Sequence, residues 1–196
     1  MGGRGAYSGK STGSRVINTS KQSEHLEMMS PKELEERYTN LGVSNPKKAQ
    51  LSVRYYTGEG YPEMREGKYP EEVKLIDEVI DKQPKWDGEI YRGMRVNNDF
   101  IENIKNSIGD SIELSPKSPT SFSSNPYVAR DFARSPVKDH GVLFKMQNKR
   151  GSSISHNAQY PSEGEVLHKS AEKYKIKSVD FDTSLGVYVV ELEDND

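Results

Sequence analysis

Apolar residues recur every three or four positions up to about residue 84 and every second position in short runs after residue 88, and this change of period divides the chain. In "SPKELEERYTNLG", Ser30 stands as an N-cap, Pro31 opens the first turn, Glu33 closes a capping box and Gly42 follows the end. "NPKKAQLSVRYYTG" repeats the pattern with Asn45, Pro46 and Gly58, and places Ala49, Val53 and Tyr56 on one face. "PEEVKLIDEVIDKQP" turns Val73, Ile76, Val79 and Ile80 inward, and Pro84 stops it. Together these segments predict a small helical subdomain over residues 28–85.

From Gly88 onward the period shortens to two. "GEIYRGM", "DSIEL", "GVLFKMQ", "GSSIS", "GEVL", "KYKIKSVD" and "GVYVVELE" each read as a strand bounded by turn residues. Two helices interrupt them. One carries Phe100, Ile101, Ile104 and Ile108; the other, "NPYVARDFAR", starts at Asn125-Pro126 and packs Ala129, Phe132 and Ala133. Strands bunched late, with few helices among them, predict an α+β domain over residues 28–196, its core (86–196) a mixed two-sheet structure with short helices. The first 27 residues, rich in Gly and Ser with Arg4, Lys10, Arg15 and Lys21, read as a flexible leader.

Composition narrows the function classes. A length of 196 residues fits one domain. A net charge of −2, with a pI near 6.1, argues against a nucleic-acid binder or a basic membrane-surface protein. The mean hydropathy of −0.87 is low for a folded domain, and the polar leader accounts for part of it. There is no cysteine, hence no disulfide and no thiolate metal site, and the four histidines fall at no recognisable catalytic spacing, so no metal is expected. No run approaches a membrane span and the start has no secretory core, which makes the sequon at Asn18 incidental.

Three short patterns carry candidate chemistry. In "EIYRGM", Ile90, Arg92 and Met94 share a strand face, and an arginine between two apolar neighbours needs an anion: a structural carboxylate, or a phosphate that its planar fork would grip. Gly93 after it would let a ligand approach the backbone closely. In "SPTSFSSNPYVARDFA", Ser121 and Ser123 share a face; Ser124 or Asn125 caps the helix, while Ser121 lies too far upstream to cap and is free to hold a carboxylate. In "QYPSEGEVLHKS", Glu163 and Glu165 stand one residue apart: a solvated turn, or two acids with separate tasks.

In this order, the three patterns resemble the arginine–serine–glutamate class of mono-ADP-ribosyltransferases, which includes the clostridial actin-modifying toxins. "YRGM" looks like the arginine strand, "TSFSSNPYVARDFA" like the Ser-Thr-Ser segment with its helix, "PSEGEVLHKSAEKYKI" like the biglutamate loop and strand, and "RYYTGEGYPEM" like the helix-to-loop segment over the cofactor. Phe122 replaces the middle threonine, on the face turned away from the site. The asparagine and Leu-Arg pair that often follow Tyr-Thr-Gly have no counterpart in "PEMREGK", which leaves Arg65 unassigned.

The resemblance implies NAD as substrate and a protein acceptor bearing a target arginine. Glu165, Glu163 and Ser121 would be catalytic; Arg92, Gly93, Tyr56, Ser121, Ser123 and Glu165 would bind NAD; Tyr160 and Glu163 would meet the acceptor. A Gln at 163 would go with other acceptors. Two other readings stand beside this one: an NAD glycohydrolase using water, and a non-catalytic bacteriophage structural protein that kept the fold. A DNA-modifying relative is a third, against which the acidic pI and Glu163 both count. Without a signal peptide, the expected place is a bacterial host cytoplasm or a phage virion.

Overall fold

A computed structural model describes residues 28–134 and 140–194; the proposed leader lies outside them. Helix α1 (Pro31–Asn40) begins with the expected capping box: Glu33 N–H donates to Ser30 Oγ, and Ser30 N–H donates to Glu33 Oε2 at 2.8 Å. Helix α2 (Pro46–Tyr55) is capped by Asn45, whose Oδ1 accepts from Lys48 N–H at 3.1 Å. The expected stop at Gly58 does not occur. The chain instead winds through a five-residue π-helical turn, Tyr56–Gly60, directly into α3 (Tyr61–Arg65). Gly60 permits this, because a Cβ there would run into the Tyr55 ring. Helix α4 (Pro70–Lys82) buries Val73, Ile76, Val79 and Ile80 as its period predicts.

Eight strands follow with two helices between them: β1 (Glu89–Val96), α5 (Asn98–Asn106), β2 (Ser111–Glu113), β3 (Thr120–Ser123), α6 (Pro126–Arg134), β4 (His140–Gln147), β5 (Ser152–Ser153), β6 (Glu165–His168), β7 (Lys173–Asp182) and β8 (Val187–Asp194). Helix α5 ends before Ile108, which is half exposed rather than part of its buried face. The strands hydrogen-bond in the order β2-β7-β8-β4-β1-β3-β6-β5, antiparallel except for the parallel β4–β8 pair. The fold is α+β with a mixed sheet.

That ladder has two unequal parts. β1 pairs with β4 along its whole length, and β3 pairs with β6 over all four residues. Between β1 and β3, however, a single pair, Tyr91 with Ser123, joins the five-stranded and three-stranded parts. The core expected as two sheets is a single eight-stranded sheet whose two parts join at one pair. The helical residues are not an independent body: Tyr38, Val53, Met64, Ile76 and Ile80 share a buried cluster with Ile154, Ala158 and Leu167 of the β-rich part. A second cluster, around Ile90, Phe122, Phe144, Val166 and Tyr174, fills the sheet's other side. Among the described residues no helix is long and apolar enough to cross a membrane.

Candidate active site

A cleft open to solvent lies where β1 and β3 part. The turn and helix at Tyr56–Arg65 form one wall, β1 and α6 another, and β3 with the Glu163–Glu165 segment the third. Arg92, Gly93, Tyr56, Ser121, Ser123, Glu163 and Glu165 all line it; Tyr160 does not, and stands 45% exposed in the adjoining loop.

Arg92 reaches across the gap. Its Nη1 donates to the Ser121 carbonyl at 2.6 Å, an acceptor that the separated β1 backbone leaves to a side chain. Its Nε is buried without a partner, so the cation carries an unused donor. Burial, and then the nearby Arg65 charge, pull its pKa down to about 10, which leaves it charged at neutral pH. Among the described residues no carboxylate stands in close ion-pair contact with it, though the Glu165 charge is near enough to favour its charged form.

Arg65 is the residue that the sequence reading left unassigned. It also lines the cleft, its Nε is likewise buried and unpartnered, and its guanidinium lies 5.6 Å from the Tyr61 ring centre. The signal was present in Pro62, a helix-start residue, with apolar Met64 behind it: together they mark a new helix rather than a loop. Tyr56 is buried, lines the cleft and donates its hydroxyl proton to the Pro119 carbonyl at 2.5 Å.

Glu165 opens β6 and is 2% exposed, with Ser121 Oγ donating to its Oε1 at 2.6 Å. Ser123 does different work: its hydroxyl donates to the Glu163 carbonyl at 2.5 Å. Ser124 N–H and Oγ both donate to the Gly164 carbonyl, at 2.9 and 3.1 Å. The helix cap is Asn125, whose Oδ1 accepts from Tyr127 N–H. The serine segment thus holds one acid by its carboxylate and the other by its backbone. Gly164 between them has φ +57°, a left-handed turn that favours glycine, and a Cβ there would collide with Ser124 Oγ. Gly93 lines the cleft, but the body that approaches it is α6: a Cβ would strike the Ala129 carbonyl. Phe122, expected to face away, is a core residue whose atoms also reach the cleft wall.

Away from the cleft, His168, Glu172 and Asp194 lie close enough to share an ion. Their positive partner is already in place, since Arg150 Nε donates to Asp194 Oδ1 at 2.5 Å and Nη1 lies 3.6 Å from Glu172.

No protein-family model and no curated protein matches the sequence. Solved structures do share the architecture. The ADP-ribosyltransferase HopU1 of Pseudomonas syringae pv. tomato aligns with a TM-score of 0.65 over 93% of this chain and 100% of its own, at 15% identity. Vis toxin, an ADP-ribosyltransferase from Vibrio splendidus, gives 0.64 over 91% and 87% at 18% identity, and Vis has also been solved with agmatine. Exoenzyme S of Pseudomonas aeruginosa, solved with human 14-3-3 β and bound to carba-NAD, gives 0.58 over 84% and 88% at 19% identity. Helices against one end of a mixed sheet, with a cleft at its seam, give this chain the fold of the bacterial ADP-ribosyltransferases.

Proposed function

We propose that this protein transfers ADP-ribose from NAD to an arginine of a protein acceptor and releases nicotinamide. The observation that carries the reading is one cleft holding two arginines with unpartnered Nε groups and, in the same lining, a buried glutamate fixed by a serine. Two cations that make no close ion pair among the described residues suit a pyrophosphate, which guanidinium forks grip in a plane.

The chemistry assigns a task to each group. As the glycosidic C–N bond breaks, nicotinamide departs with the bonding pair and positive charge develops on the ribose, as it does in glycoside hydrolysis. Glu165 hydrogen-bonds the ribose and stabilises that charge; its burial makes the interaction stronger than it would be in water. Ser121 keeps the carboxylate in one rotamer, and the arginines hold the pyrophosphate so that departure of nicotinamide is productive. Glu163, nearer solvent, orients the incoming guanidinium and takes the proton it sheds as its nitrogen bonds to the ribose carbon. Tyr160 stands exposed at the acceptor side. A free guanidine such as agmatine serves as the simplest acceptor.

The test is to incubate the purified chain with NAD, with and without agmatine, and to follow nicotinamide release and ADP-ribosyl-guanidine by mass spectrometry. The adduct is the expected product. Nicotinamide release with ADP-ribose alone, unaltered by agmatine or by cell lysate, would make the protein an NAD glycohydrolase. No nicotinamide release and no NAD binding would make it a non-catalytic relative.

A further inference from the structure

The turn that carries Tyr160 and Glu163 is tied at both ends to different walls of the cleft. At its far end, Ser123 and Ser124 hold the Glu163 and Gly164 carbonyls to the β3 side. At its near end, Gln159 N–H donates to Thr57 Oγ1 at 2.9 Å, and Thr57 belongs to the π-helical turn beside Tyr56. Among the described residues this is the one hydrogen bond that Gln159–Ser162 make to another element; the others close the turn on itself, from Glu163 N–H to Tyr160 and from Gly164 N–H to Pro161. Gln159 and Tyr160 are exposed, whereas Thr57 is 1% exposed and its hydroxyl is used twice, donating to the Arg54 carbonyl at 3.2 Å while accepting from Gln159. Gly58, next to Thr57, faces the Gln159 side chain at a distance where even a Cβ would make only ordinary contact.

A π-helical turn is a rare interruption of an α-helix and is frequent at functional sites. Here it turns a buried hydroxyl toward the strap. The wall that presents Tyr56, Tyr61 and Arg65 to the cleft is therefore bolted to the segment that presents Glu163. We propose that Thr57 is a positioning residue for acceptor transfer: its hydroxyl fixes the height of the Glu163 turn over the cleft, and so sets how cleavage of NAD divides between arginine and water. This rests on the transferase reading above. Thr57 touches neither Glu165 nor Arg92 by any hydrogen bond, so cleavage itself does not pass through it.

Three measurements on the full chain decide it. Thr57→Val keeps the side chain's shape and removes the acceptor for Gln159. It should lower kcat/KM for agmatine about tenfold, the loss of one buried hydrogen bond's worth of positioning. Nicotinamide release without acceptor should stay within about twofold of wild type, because the groups that stabilise the ribose are untouched. Thr57→Ser restores the hydroxyl and should recover transfer. In the wild type, amide exchange at Gln159 should be slow despite the residue's exposure. An unchanged transfer-to-hydrolysis ratio in Thr57→Val, equal loss of both activities without recovery in Thr57→Ser, or fast exchange at Gln159 would each overturn the proposal. Should Thr57→Val not fold, the serine variant and the exchange measurement decide alone. A wild-type protein that makes no guanidine adduct refutes the transferase reading instead, so the two failures look different.

Discussion

Glu165 and Glu163 stand one glycine apart and are held in contrasting ways. Glu165 begins a strand whose every residue is buried, its backbone registered opposite Ser123 and its carboxylate bonded to Ser121. Glu163 ends a single 3-10 turn, half-buried, with its backbone tied on one side to the serines and the turn tied on the other to Thr57. A strand residue in a packed core has one place to be. A residue on a strapped turn can shift with what docks against it. The proposed mechanism would use this contrast, with the acid held in the core for the sugar and the acid on the strapped turn for the acceptor, and Gly164 as the joint.

Three substitutions break or sharpen that contrast. Glu165→Gln should lower both transfer and NAD hydrolysis by about 10³-fold, the scale of losing a preorganised electrostatic contact to the transition state. Retention of more than about a tenth of either activity would remove the distinction between the two acids. Glu163→Gln should lower transfer to agmatine by about 10²-fold, within the range for a general base, with hydrolysis within about threefold of wild type. Parallel losses would mean that both acids act on cleavage. Arg65→Ala should weaken NAD binding about tenfold or more, since a charge-assisted hydrogen bond is worth about 1.5–3 kcal/mol. Titration calorimetry showing wild-type affinity would leave Arg92 as the sole cation at the pyrophosphate.

Much of this architecture was legible in the sequence because its elements are punctuated. Pro31, Pro46 and Pro70 open helices where the pattern places them, and glycines or polar turns bound β1, β4, β6 and β8. Strand alternation made Ser121 available to a carboxylate, but only the family resemblance pointed to Glu165 as that carboxylate. Arg65 could not be placed, because its position depends on whether the chain stops or continues at Gly58. Pro62 signals a new helix, but the unbroken run into it rests on Gly60 accommodating the Tyr55 ring, which helix periodicity does not reveal. Ile108 misled for the opposite reason: its spacing suits the α5 face, yet the helix ends at Asn106. Gly93 was noticed, but the crowding that demands it comes from α6, distant in sequence.

The single Tyr91–Ser123 bridge between the two parts of the sheet has a mechanical consequence. Every other pair of adjacent strands is registered over two or more residue pairs, so the seam beside Arg92 is where the sheet is least stitched. A dinucleotide lying between Arg92 on one flank and Glu165 on the other would span that seam and act as a suture. Occupancy would then stiffen the whole β architecture, so that the protein's own cohesion becomes a gauge of whether its substrate is aboard.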